Sequence, residues 1–119
     1  MNLLTITLFR PVGKNELSLI EATNFTGFSP RLPEQPIFYP ALNEEYATKI
    51  ARDWNAKYNV NKVGYVTKFE VSKEFLDNYE IKVVGGKTHE EYWIPVQELE
   101  EFNRNIWGKI EVIEEFSGK

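Results

Sequence analysis

The sequence predicts an α+β domain in which most strands pair antiparallel. Two observations support this prediction: the chain contains about six strand patterns but only two or three short helical patterns, and the strand patterns often follow one another directly. Strands joined without an intervening helix pair most readily as antiparallel ribbons. With 119 residues, of which 42% are hydrophobic, the chain is expected to form a single domain over residues 1–119.

The first strand is predicted from the alternation of side chains between Leu4 and Arg10, where β-branched residues are frequent. Pro11 is expected to end this strand, which leaves Arg10 at its exit. The apolar start lacks the cationic segment and the small-residue cleavage site of a signal peptide, and it runs directly into Arg10 and Pro11. A strand is therefore the better interpretation of this segment.

The next two elements are a short helix and a segment rich in proline and aromatic residues. Asn15 is expected to cap a helix over residues 16–22, with an inward face formed by Leu17, Leu19 and Ile20. The frequent prolines between residues 24 and 40 exclude a helix there. We expect this segment to form a strand, an ordered loop and a short strand. A loop of this kind that packs on a single small domain more often has a function than not.

The clearest helical pattern follows Asn43, which is the predicted N-cap. Glu44 and Glu45 occupy the first turn, where the helix dipole favours acidic side chains. Apolar residues recur at three and four positions, and this stripe predicts a face in the core: Tyr46, Ala47, Ile50, Ala51 and Trp54. A turn is expected over residues 59–62.

A second run of strand patterns begins at Val63 and continues to Val71. One face of this strand is predicted from its alternation: Val63, Tyr65, Thr67, Phe69 and Val71. Ser72 is expected to cap a short helical turn, and a strand over residues 79–84 should end at a hinge formed by Gly85 and Gly86.

The stretch from Thr88 to Pro95 is the sharpest local pattern, because charged residues lead into an aromatic, apolar segment. We expect a strand that ends near Ile94, since Pro95 cannot donate a further ladder hydrogen bond. Alternation places Glu91 and Trp93 on one face with His89, and the opposite face is formed by Glu90, Tyr92 and Ile94. Solvated charges on an edge strand explain the pattern equally well.

The C-terminal part predicts a helix over residues 96–106 and a last strand over residues 110–116. The inward side of this helix is expected to carry Leu99, Phe102 and Ile106, and Gly108 is expected to end it. The glutamates of both elements are interpreted as solvated side chains that favour solubility.

Composition excludes several classes of function. The net charge of −4 without a basic block disfavours a non-specific nucleic-acid binder, and the absence of cysteine removes disulfides, thiolate nucleophiles and the usual zinc sites. The sequence contains no phosphate-binding P-loop, dinucleotide glycine motif or hydrolase nucleophile elbow. With no cysteine, a cytoplasmic protein is the default expectation, and no apolar run reaches the length of a membrane span.

Three sets of side chains are candidates for a site, and each has a structural alternative. Arg10 has the fork geometry that binds phosphate or carboxylate, although a surface charge is the commoner role. Tyr39 suits stacking on an aromatic ligand as well as packing in the core. His89 with Glu91 suits acid–base chemistry or binding of a ribose, and the pair has too few ligands for a metal site.

Three of these positions resemble the spacing of the ADP-ribosyltransferase-like superfamily. In that superfamily an Arg or His ends the first core strand, as in Leu-Phe-Arg-Pro-Val-Gly at 8–13. A later strand leads into a helix, as Ile-Phe-Tyr at 37–39 does before the helix predicted over 47–54. Its catalytic Glu precedes an apolar run and a proline, as in Glu-Tyr-Trp-Ile-Pro at 91–95, and His89 takes the place of an earlier Glu or Gln.

The chain is also similar to short bacterial proteins that carry "ADP-ribosylation/crystallin" labels. The shared segments are R-P-V-G at 10–13, R-L-P-E-Q-P-I-F-Y-P at 31–40 and E-Y-W-I-P at 91–95. That label points to ADP-ribosyl glycohydrolases, which are longer, helical and metal-dependent, and this sequence lacks their aspartate clusters.

The resemblance implies an ADP-ribosyltransferase-like fold, with a split, mostly antiparallel sheet, and NAD as the substrate without a metal. Arg10 would hold the pyrophosphate, Tyr39 would stack near the nicotinamide, and Glu91 would bind the ribose and stabilise oxocarbenium charge. His89 would orient or deprotonate a protein or nucleic-acid acceptor.

The sequence departs from the superfamily in two places, and two other functions therefore stay open. Phe-Tyr-Pro at 38–40 stands where the superfamily has Ser-Thr-Ser, and His89 replaces the usual Glu or Gln. One alternative is a non-catalytic interaction module that docks through the segment from Phe28 to Tyr39. The other is an NAD glycohydrolase that uses water as the acceptor.

Overall fold

The computed structural model of the chain describes residues 4–29, 36–55, 63–84 and 89–117. Parts of four predicted features lie outside these residues: the middle of the proline and aromatic segment, the turn at 59–62, the Gly85 and Gly86 hinge, and the side chain of Trp54.

A three-stranded antiparallel sheet forms the centre of the fold. Its strands are β1 (Thr5–Gly13), β3 (Val63–Ser72) and β7 (Ile106–Ser117), in the order β1-β3-β7. The central strand β3 carries buried side chains on both faces, because a core packs against each face of the sheet.

The free edge of β1 continues into a second set of strands through a single residue, Ala41. Phe9 and Ala41 exchange both backbone hydrogen bonds, at 2.8 and 2.7 Å, and Ala41 in turn pairs with Glu91. Glu91 belongs to β5 (Glu90–Tyr92), which pairs antiparallel with β4 (Ile81–Val83). The two bridges of Ala41 therefore fix the register of β5 relative to β1.

The chain on either side of Ala41 and Glu91 forms one antiparallel ribbon. Strand β2 (Ile37–Phe38) pairs with β6 (Ile94–Pro95) in the same register as the Ala41 bridge. This register places Tyr39 opposite Trp93, and their rings are in contact. The first strand predicted near Asn24 is wrong, because Asn24 has a left-handed φ of 61° and lies in a turn.

Strand β1 runs two residues beyond Pro11, so the prediction that Pro11 ends it is wrong. The physical reason lies in the alternation of the backbone groups. The N–H of Phe9 points to Ala41 and away from β3, and the nitrogen of Pro11 points the same way. Pro11 therefore removes no hydrogen bond from the β1–β3 ladder.

Four short α-helices complete the described part of the chain: α1 (Lys14–Ala22), α2 (Glu44–Ile50), α3 (Lys73–Leu76) and α4 (Leu99–Arg104). A π-helical turn continues α2, and a 3₁₀ turn precedes α4. The predicted caps of α2 and α3 are confirmed: the Asn43 and Ser72 side chains accept from backbone N–H groups at 3.1 and 3.5 Å.

The prediction for α1 is corrected at two positions. Asn15 lies inside the helix rather than at its cap, because β1 extends to Gly13 and α1 begins at the next residue. Leu17 and Ile20 are buried as expected, whereas Leu19 is 50% exposed. Leu19 directly precedes Ile20, so its side chain is rotated by about 100° around the helix axis from the buried Ile20 side chain and points to solvent.

The predicted helix over residues 96–106 is shorter than expected. Helix α4 ends at Arg104, and Ile106 pairs with Val71 as the first residue of β7. Gly108 does not end a helix: it lies within β7 with a left-handed φ of 77°, in a segment where the β3–β7 register shifts opposite Phe69. Glycine suits that conformation because it has no Cβ.

The two faces of the β1–β3 pair carry different cores. The larger core lies on the face of Leu8 and Val12 and includes Phe28, Phe38, Phe69 and Phe102. The smaller core lies on the other face, beneath α2 and its π turn, and consists of Phe9, Ala47, Ala51 and Val66. The predicted α+β class with antiparallel pairing is confirmed, and every strand pair in the described residues is antiparallel.

Candidate active site

The carboxylate of Glu91 is the centre of the candidate site. The residue is only 8% exposed, although it lies close to the surface strand β4. Trp93 Nε1 donates a hydrogen bond to Glu91 Oε1 at 2.8 Å, and Tyr46 Oη donates to Oε2 at 3.4 Å. Each carboxylate oxygen therefore has a neutral donor from a different element of the fold.

Strand pairing explains why Tyr46 and Glu91 meet. Side chains of directly paired residues lie on the same face of a sheet, so Phe9, Ala41 and Glu91 share one face. That face is the one covered by α2, as the contact of Phe9 with Ala47 shows. Tyr46 precedes Ala47 on α2 and reaches Glu91 from above the sheet.

No cationic side chain among residues 4–29, 36–55, 63–84 and 89–117 forms an ion pair with Glu91. Lys82 lies directly opposite Glu91 in the β4–β5 register. Its ammonium group instead bonds Glu80 Oε2 at 3.1 Å and lies 5.5 Å from the centroid of the Trp93 ring. The site thus holds a buried anionic side chain whose hydrogen bonds come from neutral groups.

Two aromatic side chains form a corner beside this carboxylate. Tyr39 and Trp93 meet edge to face, with ring centroids 5.7 Å apart and planes at 89°. Both are large hydrophobic residues that remain accessible, at 39% and 40%. Exposed aromatic faces next to a polar anchor are the groups that stack on planar or cationic ligands.

His89 borders the site on the other side of Tyr46. Its ring stacks on Tyr46, with centroids 4.3 Å apart and an interplanar angle of 15°. His89 Nδ1 lies 3.2 Å from the carbonyl oxygen of Val84, which fixes the orientation of the imidazole. The predicted grouping of His89 and Glu91 on one side of the strand is confirmed through their shared contact with Tyr46.

The pKa of Tyr46 is raised above its ordinary value. Burial is the largest cause, and the negative charge of Glu91 and the hydrogen bond to it act in the same direction. The Tyr46 phenol therefore keeps its proton at neutral and mildly alkaline pH and stays a donor to the carboxylate.

The structure does not bring Arg10 to this site. Arg10 follows Phe9, so its side chain lies on the opposite face of the sheet from Glu91. There its Nε and Nη2 bond the two carboxylate oxygens of Glu16 at 2.6 and 3.1 Å, and its guanidinium lies 4.6 Å from the centroid of the Phe38 ring. Arg10 joins α1 to the larger core.

We expect the substitution Arg10→Met to lower the free energy of unfolding by about 1.5–3 kcal/mol, because it removes charge-assisted hydrogen bonds from a mostly buried group. Urea denaturation followed by circular dichroism measures this loss. Arg52→Met is the matched control, since Arg52 is an exposed arginine paired to its neighbour Asp53, and it should change stability by less than about 0.5 kcal/mol. Equal effects of the two substitutions would contradict the structural role.

Stability is expected to fall at alkaline pH. Burial raises the pKa values of Tyr46, Tyr79 and Tyr92, and Tyr79 also donates a hydrogen bond to Glu98. A phenol whose pKa is higher in the folded state than in the unfolded state binds its proton more tightly when the chain is folded. This contribution to stability is complete below the unfolded-state pKa of about 10, and it is lost as the pH rises through the folded-state pKa values. Unfolding free energies measured from pH 8 to 12 test this, and Tyr79→Phe should make the decline shallower.

The sequence did not identify two residues of the site. Tyr46 belongs to the apolar stripe of the helix after Asn43 and was expected in the core, and nothing in its spacing indicated the contact with Glu91. No sequence pattern around Lys82 indicated that it would lie opposite Glu91. Trp93 lies on the Glu91 face, as its alternation predicted, and the Tyr39 ring contacts the Trp93 ring.

Neither a metal cluster nor a membrane-spanning helix is found within the described parts of the chain. There, no three His, Cys, Asp or Glu side chains come together as metal ligands. No described helix is long and apolar enough to cross a bilayer. Comparisons with protein-family models, with curated proteins and with solved structures give no match to this chain.

Proposed function

We propose that the chain binds NAD at Glu91 and transfers ADP-ribose to a protein or nucleic-acid acceptor, as a small member of the ADP-ribosyltransferase-like fold. The observation that carries the proposal is the Glu91 carboxylate, which is 8% exposed and has neutral hydrogen-bond donors on both oxygens. A buried anion without a cationic partner is suited to stabilise positive charge that develops on a substrate.

The reaction demands such a group. Cleavage of the bond between the ribose C1′ and the nicotinamide nitrogen moves the bonding electrons to the leaving nicotinamide, which departs neutral. Positive charge then develops on the ribose as an oxocarbenium ion. A carboxylate at the position of Glu91 bonds a ribose hydroxyl in the ground state and attracts this charge in the transition state, and it does so strongly because water is largely excluded.

The aromatic corner gives the nicotinamide a place beside the carboxylate. The nicotinamide of NAD is a planar cation, and Tyr39 and Trp93 offer accessible π faces at a right angle. Stacking on such faces holds the ring and its C1′ bond in a fixed direction. The acceptor would approach from the side of His89, whose imidazole accepts or orients the acceptor's proton.

A second function is favoured by the position of Arg10. The guanidinium of Arg10 pairs with Glu16 on the opposite face of the sheet from Glu91. Arg10 is therefore not placed to bind the pyrophosphate in the way that the resemblance implies. A non-catalytic binding module on the same fold is consistent with that contact. An NAD glycohydrolase differs from the transferase only in using water as the acceptor. A cytoplasmic location, where NAD is available, is part of the leading proposal.

Incubation of the purified chain with NAD separates these functions. Nicotinamide release and NAD binding are followed together, by chromatography and by calorimetry. Release that accelerates when acceptor proteins are added supports the transferase, and release independent of added acceptors supports the glycohydrolase. Saturable binding without release supports the module, and the absence of binding and release contradicts the proposal.

A further inference from the structure

We propose that the face of the Trp93 ring beside Glu91 is a binding site for the ammonium group of a lysine side chain on a partner protein. This inference does not rest on the NAD proposal. It rests on three features of the described residues: a buried carboxylate without a cationic partner, an accessible indole bonded to that carboxylate, and an ammonium of the chain itself that already lies over the indole.

The Trp93 indole has two interactions at once. Its Nε1 donates to Glu91 Oε1 at 2.8 Å, while Lys82 Nζ lies 5.5 Å from the ring centroid. Donation of a hydrogen bond to a carboxylate makes the indole π system richer in electrons, and this strengthens its attraction for a cation. Through this hydrogen bond, the Glu91 carboxylate increases the negative potential at the exposed face of the Trp93 ring.

Lys82 shows which chemical group this surface accepts. Its position opposite Glu91 in the β4–β5 register offers a direct ion pair, yet its ammonium is held by Trp93 and by the exposed carboxylate of Glu80. The Lys82 side chain is 40% exposed, and cation–π contacts at exposed sites are weak, so another cation can displace its ammonium from the ring. A lysine from a partner can take the same place and extend to the Glu91 carboxylate.

Charge and shape favour a lysine over other ligands. The chain has a net charge of −4, and the exposed carboxylate of Glu80 lies beside the Lys82 ammonium, so a cationic partner is attracted. The Tyr39 ring stands at 89° to Trp93, and the two planes give an apolar wall for the methylene groups of a lysine stem. A neutral ligand gains only from the apolar wall, and an anionic ligand is repelled by the negative charge.

The test uses a small probe and no NAD. The probe is Nα-acetyl-lysine N-methylamide, and its neutral counterpart is Nα-acetyl-norleucine N-methylamide, which has the same stem without the ammonium. Binding is followed by NMR through the indole N–H signal of Trp93, assigned with Trp93→Phe. The lysine probe should shift this signal and saturate. The norleucine probe, which gains only the apolar contact, should shift it much less at the same concentration.

Two variants and one control variant test the roles of the charges. Lys82→Met removes the resident ammonium and should tighten binding of the lysine probe by roughly two- to fivefold. Glu91→Gln keeps the shape but removes the charge and should weaken binding by roughly tenfold or more. Lys49→Met removes one positive charge from the exposed surface of α2 and should leave the affinity as in the wild type.

The results that would overturn the inference are equally definite. Equal shifts with the lysine and norleucine probes would show that the ammonium is not recognised. A Lys82→Met affinity equal to or weaker than that of Lys49→Met would show that Lys82 does not occupy the site. Because NAD takes no part in these titrations, a chain that binds the lysine probe but not NAD would defeat the proposed enzymatic function and leave this inference standing.

Discussion

The substitution Glu91→Gln is expected to lower the rate of nicotinamide release from NAD by about 100-fold to 1000-fold. Glutamine keeps the size of the side chain and its acceptor oxygen, but it lacks the charge that stabilises an oxocarbenium ion. The loss should appear in kcat more than in KM, because the charge develops only in the transition state. Single-turnover release of labelled nicotinamide measures the rate directly.

The neighbouring residue gives a matched control for this experiment. Glu90 carries the same side chain on the same strand, and alternation directs it to the opposite face, where it pairs with Val83. Glu90→Gln should therefore retain the wild-type rate within about twofold. If both substitutions slow release equally, the effect is a general loss of negative charge and Glu91 has no special role.

The substitution Phe102→Ala is expected to destabilise the fold by about 3–5 kcal/mol. Phe102 is fully buried. The centroid of its ring lies 5.2 Å from the ring centroid of Phe38, 6.2 Å from that of Phe69 and 6.0 Å from that of Phe75. Truncation leaves a cavity at the place where α4, β2, β3 and α3 meet. Chemical denaturation monitored by circular dichroism gives the change in the free energy of unfolding.

An exposed residue provides the comparison for the core. Leu19 is 50% exposed on α1, and Leu19→Ala should change the free energy of unfolding by less than about 0.5 kcal/mol. A small effect of Phe102→Ala, similar to that of Leu19→Ala, would contradict the packing of the larger core. The same experiment checks the corrected orientation of Leu19, because a buried leucine would lose several times more stability.

Patterns confined to one strand or helix were predicted well. The alternation in residues 89–95 gave the correct faces for Glu91 and Trp93, and the alternation in β3 gave the buried face that contains Phe69. Asn43 and Ser72 were identified as caps because the capping side chain and its backbone partner are only three residues apart. Such features need no knowledge of the rest of the chain.

Features that depend on pairing between distant strands were not predictable. Whether Arg10 and Glu91 share a face depends on which residues of β1 and β5 are bridged through Ala41, and a shift by one residue reverses the answer. The observed bridge falls on Phe9, so Arg10 lies on the other face. The contact between Tyr46 and Glu91 depends on the same bridge, because it fixes β5 beneath α2.

Local preferences were overridden where tertiary pairing offered more hydrogen bonds. Ile106 continues the apolar spacing of α4, yet it joins β7 and pairs with Val71. Pro11 was expected to break β1, but its missing donor faces away from β3. In both cases the decisive partner lies at least 35 positions away in the chain, beyond the reach of any local pattern.

The most direct test of the Glu91 site is an NMR titration of the chain with NAD, in which side-chain N–H signals are followed. The Trp93 indole N–H bonds Glu91, and the Arg10 Nε–H bonds Glu16 on the opposite face. Binding at Glu91 predicts that the Trp93 signal shifts and saturates while the Arg10 signal stays unchanged. A shift of the Arg10 signal with an unchanged Trp93 signal would contradict the site proposed here.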